Sequence, residues 1–102
     1  MMYEAHITVE AREDLWESFL EFASLNNLKA SKAAPFSCRP GKWFLTAGDY
    51  DIALIKGRVF GTIAGLQFMG YDVVRWKIEA TLLDSKDGAT IDDLRNKGAN
   101  DA

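Results

Sequence analysis

Six residues in this chain have the types and the spacing to act together. His6, Thr8 and Glu10 alternate with Ile7 and Val9, and Arg75, Lys77 and Glu79 alternate with Trp76 and Ile78. Alternation of period two sets every second side chain on one side of a β-strand, so each trio shares a face. If the two strands are antiparallel neighbours, a register with Thr8 opposite Lys77 sets Glu10 against Arg75 and His6 against Glu79. Arg75 and Lys77 would donate to a phosphate or carboxylate, and Thr8 would add a hydroxyl. His6 is the only histidine. Held by Glu79, it would serve as an acid or base near neutral pH. The same row also reads as a ladder of opposite charges, each cross-strand pair contributing about 0.2–1 kcal/mol. A solvated sheet face is polar in any case.

The run His6-Ile7-Thr8-Val9 resembles the H-x-T/S-hydrophobic motif of the two-histidine phosphoesterases, which cleave phosphodiester and cyclic phosphate bonds. The resemblance spans four residues and implies His6 as the acid or base. Those enzymes carry a second such motif on another strand. Here Arg75-Trp76-Lys77 occupies the comparable strand, with no second histidine. A symmetric dimer would bring two copies of His6 together.

Other constellations carry less. Gly57, Gly61 and Gly65 recur every four residues beside Lys56 and Arg58. Each exposed glycine inside a helix costs about 0.5–1 kcal/mol against alanine, so three call for a reason. One is close approach to another helix, the first helix or that of a second copy. The other is that this stretch is partly loop. No phosphate-loop or dinucleotide spacing surrounds them. Asp49 and Asp51 suit turn and cap chemistry better than a cation site. Cys38 beside Arg39 is a lone thiol. RNA-recognition domains use stacking aromatics on a sheet of this kind. Of the adjacent Trp43 and Phe44 only one can face outward, and His6 stands where an aromatic is wanted.

The elements that position these residues emerge from periodicity. Tyr3–Glu10 reads as a half-buried strand. Arg12–Asn27 reads as an amphipathic helix, with Leu15, Trp16, Phe19, Leu20, Phe22 and Ala23 on its apolar stripe and Asn26-Asn27 as its stop. Leu28–Phe36, with Lys and a late Pro35, reads as a short edge strand. Pro40-Gly41 marks a turn, Trp43–Ala47 a strand, and Gly48–Asp51 a loop with Asp51 capping a second helix. The stripe Ile52, Ile55, Val59, Ile63, Leu66 predicts that helix, ending at Met69-Gly70, although residues 52–57 also read as an extension of the third strand. Val74, Trp76, Ile78, Ala80 and Leu82 alternate as the last strand. From Asp84 the chain is polar, with at most a short helix over Thr90–Arg95. The expected order βαββαβ is that of a ferredoxin-like α+β fold: four antiparallel strands, both helices on one face, the other face open. Trp76, Ile78, Ile7, Phe19 and Ile63 are expected in the core.

Composition bounds the rest. The chain has 102 residues, 48% hydrophobic and 26% charged. That fits one domain, expected over 1–84, with a polar tail over 85–102. Its three Trp, three Tyr and six Phe are expected to fill most of the core. A net charge of −3 and a pI near 5.0 argue against broad nucleic-acid binding. One cysteine permits no internal disulfide and no cysteine cluster for a metal. With no basic, apolar leader and no long apolar run, a soluble cytoplasmic protein is expected.

The reading is therefore a small non-catalytic binding or interaction module that uses its open sheet face. His6, Thr8, Arg75, Lys77 and Glu79 would receive an anionic small molecule, with no cofactor, metal or membrane. The alternatives are a phosphoester-cleaving enzyme with His6 as acid or base, and a partner-binding inhibitor or adaptor. A homodimer is expected from the spaced glycines and the sparsely charged edge strand.

Overall fold

The computed structural model describes residues 1–33 and 41–81. Pro35, Cys38, Arg39, Pro40, Leu82 and the expected tail 85–102 lie outside the described residues, as does the short helix expected near 90–95. The elements run β1 (Met2–Glu10), a 3-10 turn (Glu13–Leu15), α1 (Trp16–Leu25), β2 (Lys29–Lys32), β3 (Lys42–Asp49), α2 (Ile52–Phe68) and β4 (Val73–Thr81). One antiparallel sheet has the order β2-β3-β1-β4, and this is the expected ferredoxin-like arrangement. No described helix is long and apolar enough to cross a membrane.

Local signals set the boundaries. Asp51 accepts hydrogen bonds from the backbone N–H groups of Ala53 (2.8 Å) and Leu54 (3.4 Å). That satisfies donors which the first turn of α2 leaves orphaned. Residues 52–57 are therefore helix, and they neither extend the third strand nor form a loop. Asn27 has φ +55° and Leu28 N–H reaches Ala23 C=O at 2.8 Å, closing α1. Gly70, with φ +86°, does the same for α2, as only a residue without Cβ does freely. The loop expected at Gly48-Asp49 is the end of β3.

The core lies between the helices and one sheet face. Phe19 of α1, Ile55 and Leu66 of α2, and Val9, Trp43 and Leu45 of the central strands are its largest fully buried side chains. Trp43 packs edge-on to Trp16, with ring centroids 4.8 Å apart, and tilted against Phe19 at 5.0 Å. Tyr71 closes one end, its hydroxyl donating to Leu15 C=O at 3.4 Å. Burial pushes that phenol's pKa above 10.0.

Three expectations about the core need correction. Trp76 is 56% exposed, although it faces the helix side as expected. The reason is position: β4 is an edge strand, and α2 lies mainly over its inner neighbours. Ile63 and Ile78 are only half-buried, whereas Ile7 and Phe19 are buried as expected. The aromatics are divided rather than pooled, since Tyr50, Phe60 and Phe68 are exposed with Trp76. The third correction concerns β4 itself. Its register with β1 shifts between Thr8 and Val9, so Val73 packs on the core and Val74 joins Arg75 on the open face. A bulge has this effect, because an extra residue reverses the alternation beyond it.

Candidate open-face anion site

Register assembles the open face in rows. Ser31, Phe44, Thr8 and Arg75 lie side by side across β2, β3, β1 and β4. The next row is Lys29, Thr46, His6, Lys77, and the one beyond sets Glu4 against Glu79. The observed pairing of β1 with β4 is therefore His6 to Lys77 and Thr8 to Arg75. That is two residues from the register expected from sequence, which set Thr8 against Lys77. A shift of two leaves every side chain on its original face, so the polar row survives with new neighbours. Glu10 leaves Arg75 and instead pairs Lys42 across β3, at 2.9 Å.

Four of the five expected site residues, His6, Thr8, Arg75 and Lys77, converge with Phe44 on a depression of about 250 Å3. Thr8 forms its floor and is buried. A second depression of about 240 Å3, lined by Thr8, Lys42, Val74 and Arg75, adjoins it. Arg75 stands between the two. It makes no ion pair or side-chain hydrogen bond among the described residues.

The fifth residue, Glu79, works from outside the depression. It accepts from Lys77 Nζ at 2.6 Å and lies 3.5 Å from His6 Nε2. The Lys77 hydrogen bond holds its carboxyl below 4.5. Glu4 lies 3.4 Å from the same Nε2, while His6 Nδ1 sits 3.3 Å from Thr46 Oγ1. Nε2 thus faces two carboxylates and Nδ1 a hydroxyl, so both ring nitrogens are already met by protein oxygens.

Phe44 and Thr46 were not among the site residues expected from sequence. The signal was the alternation of Trp43, Leu45 and Ala47, all buried, with Lys42, Phe44 and Thr46 between them. Trp43 is the inward member of the aromatic pair, which leaves Phe44 as the one available for contact.

The remaining candidates resolve locally. Asp49 Oδ1 accepts from Asp51 N–H at 2.9 Å, and Asp51 caps α2, so both carboxylates serve turn and cap. No cluster of three or more metal-ligating side chains exists among the described residues. Gly65 lies against α1, where an added Cβ would come within 3.2 Å of Phe22, whereas Gly57 and Gly61 face open space. Arg58 donates to Gly48 C=O at 3.2 Å and Asn27 C=O at 2.9 Å, tying α2 to the end of α1. No family matches the chain, and no curated protein does.

Proposed function

We propose that this protein is a non-catalytic binding module whose open sheet face receives a small anion, a phosphate or a carboxylate. The observation carrying this reading is the convergence of Arg75 and Lys77 on a depression floored by the buried Thr8. Arg75 would supply a planar two-pronged donor, and Lys77 a point charge already shared with Glu79. Phe44 would cover an apolar portion of the ligand. The volume suits a compact molecule, because drug-sized ligands occupy cavities of about 300–1,000 Å3.

The alternative of a phosphoester-cleaving enzyme rests on His6-Ile7-Thr8-Val9. Both His6 ring nitrogens already face protein oxygens, and the neighbouring strand offers cations instead of a second histidine. Those contacts favour binding over turnover.

Chemical-shift mapping with inorganic phosphate, sugar phosphates and nucleotides tests the proposal. Shifts should cluster at residues 6–8, 44 and 75–77. Arg75→Ala should weaken binding about ten- to a hundredfold, the scale of a charge-assisted hydrogen bond of about 1.5–3 kcal/mol. No shifts at millimolar ligand would overturn the anion site and favour a protein-binding inhibitor or adaptor. Turnover of a cyclic phosphate that disappears in His6→Ala would favour the enzyme.

A further inference from the structure

The face of the sheet opposite the anion site carries a groove of about 430 Å3 between α2 and β4, lined by Lys56, Val59, Phe60, Ile63, Trp76 and Ile78. Phe60 is 78% exposed at its rim and Trp76 56% exposed at its base. Contiguous apolar surface of this kind on a folded domain marks a contact site. The groove also runs along a free edge: nothing among the described residues pairs with the outer side of β4.

From these features we propose that the groove and the β4 edge together form a two-fold interface with a second copy of this chain. The strand itself sets the register. Its bulge lies at the Val73–Val74 end, which leaves Arg75–Thr81 as the regular stretch, centred on Ile78. An antiparallel pairing of two β4 strands about a two-fold axis at Ile78 uses all seven of these residues. It sets Ile78 against its own copy on the helix face and Trp76 against Ala80 on either side, a large residue facing a small one. On the open face it sets Lys77 against Glu79 of the other copy, twice. Each chain already pairs Lys77 with Glu79 internally, so the axis would gather two cations and two carboxylates into one alternating network with no like charges opposed. A register centred one residue earlier would set Lys77 against Lys77.

The axis runs perpendicular to the sheet, so both α2 helices lie on the same side of the eight-stranded sheet that results. Each Phe60 would then close over the Trp76 of the other copy, with Lys56 extending its charge to solvent at the rim. An aromatic side chain offers roughly 200 Å2. Phe60 and Trp76 therefore contribute about 300 Å2 per copy, to which the strand edge and the flank of Ile63 add. The two copies together bury about 600 Å2 through these aromatics, and the strand edges and Ile63 flanks extend this toward the lower end of specific interfaces, about 1,200 Å2, where weak association is expected. The partner is a second copy because one patch supplies both knob and groove, and because the edge strand is charge-complementary to itself.

Sedimentation from about 1 to about 100 μM, the range expected for an interface of this size, provides the test. The parent should shift from monomer to dimer. Phe60→Asp, at an exposed position, should remain monomeric with an unchanged circular-dichroism spectrum. Lys77→Glu should weaken association at least about tenfold by opposing two carboxylates, and Lys77→Glu with Glu79→Lys should restore it. A parent that stays monomeric throughout overturns the proposal. So does a dimer that ignores both Phe60→Asp and the charge exchange.

Discussion

Arg75 and Lys77 differ in ways that their shared charge conceals. Lys77 Nζ is bound to Glu79 at 2.6 Å, so part of its attraction is already engaged inside the protein. Arg75, with no described acidic partner, would hold its guanidinium for the proposed anion. This division makes a pH-dependent prediction about Glu79. Its folded pKa lies below 4.5, chiefly through the Lys77 hydrogen bond. The carboxylate's contribution is therefore complete above the unfolded value of about 4.5 and is lost as pH falls through the lower folded value. Because Glu79 is exposed, the useful readout is the titration itself and not the melting temperature. A carboxyl NMR titration should place Glu79 below 4.5 in the parent. In Lys77→Ala it should move back toward 4.5, with His6 as the remaining cation beside it. An unmoved midpoint would mean that the hydrogen bond does not persist in solution. The residue types of this candidate site were legible in the sequence, because alternation gives each strand its polar face and the expected βαββαβ order makes the first and last strands neighbours. The pairing was not legible, since a slip of two residues preserves every face and leaves no mark on the pattern.

At the scale of the element, the two strands that carry tryptophans behave differently although they read alike. β3 is central, covered by both helices, and buries Trp43 completely. β4 alternates just as well, but it stands at the edge with its helix-side residues partly in water. Periodicity reports which face a side chain joins, not whether another layer covers that face. This is why Trp76 was expected in the core and is not there. Nor does the sequence announce the bulge, because Val73 and Val74 are equally apolar and either one satisfies the pattern. The difference between the strands is measurable by denaturation. Trp43→Ala, which removes the side chain packed on Trp16 and Phe19, should cost about 3–5 kcal/mol. Trp76→Ala should cost less than about 2 kcal/mol in the monomer, since more than half of that side chain already meets solvent. Equal losses in the two variants would contradict this assignment of edge and centre. The caps, in contrast, were readable from single residues. Asp51, Asn27 and Gly70 each act within a turn, so no tertiary partner is needed to reveal them.

Across the whole molecule the sheet separates two surfaces of opposite character. One is polar and bears Lys29, Lys42, Arg75 and Lys77 among its carboxylates. The other side is covered by α1 and α2, and the outward face of α2 shows Phe60, Phe68, Leu54 and two glycines. A helix that is apolar nearly all round is one that a second layer would cover, and the spaced glycines raise the same expectation. Gly65 meets α1, so only Gly57 and Gly61 remain for an outside partner. If that partner is a second copy, folding and association share one equilibrium, because the dimer is populated only by folded chains. Mass action then stabilises the native state as concentration rises through the dissociation constant, and the melting temperature must climb with it. A domain of about 100 residues gains roughly 4–8 °C per kcal/mol. A hundredfold rise in concentration above a micromolar constant supplies about 1 kcal/mol per chain. The parent's melting temperature should therefore rise by several degrees between about 1 and about 100 μM, while that of Phe60→Asp should stay constant. Saturating inorganic phosphate should raise both curves alike if the candidate anion site fills while Lys77 keeps Glu79 of the other copy. If phosphate instead removed the concentration dependence of the parent, Lys77 would be passing from Glu79 of the other copy to the ligand, and the two faces would be coupled through that one side chain.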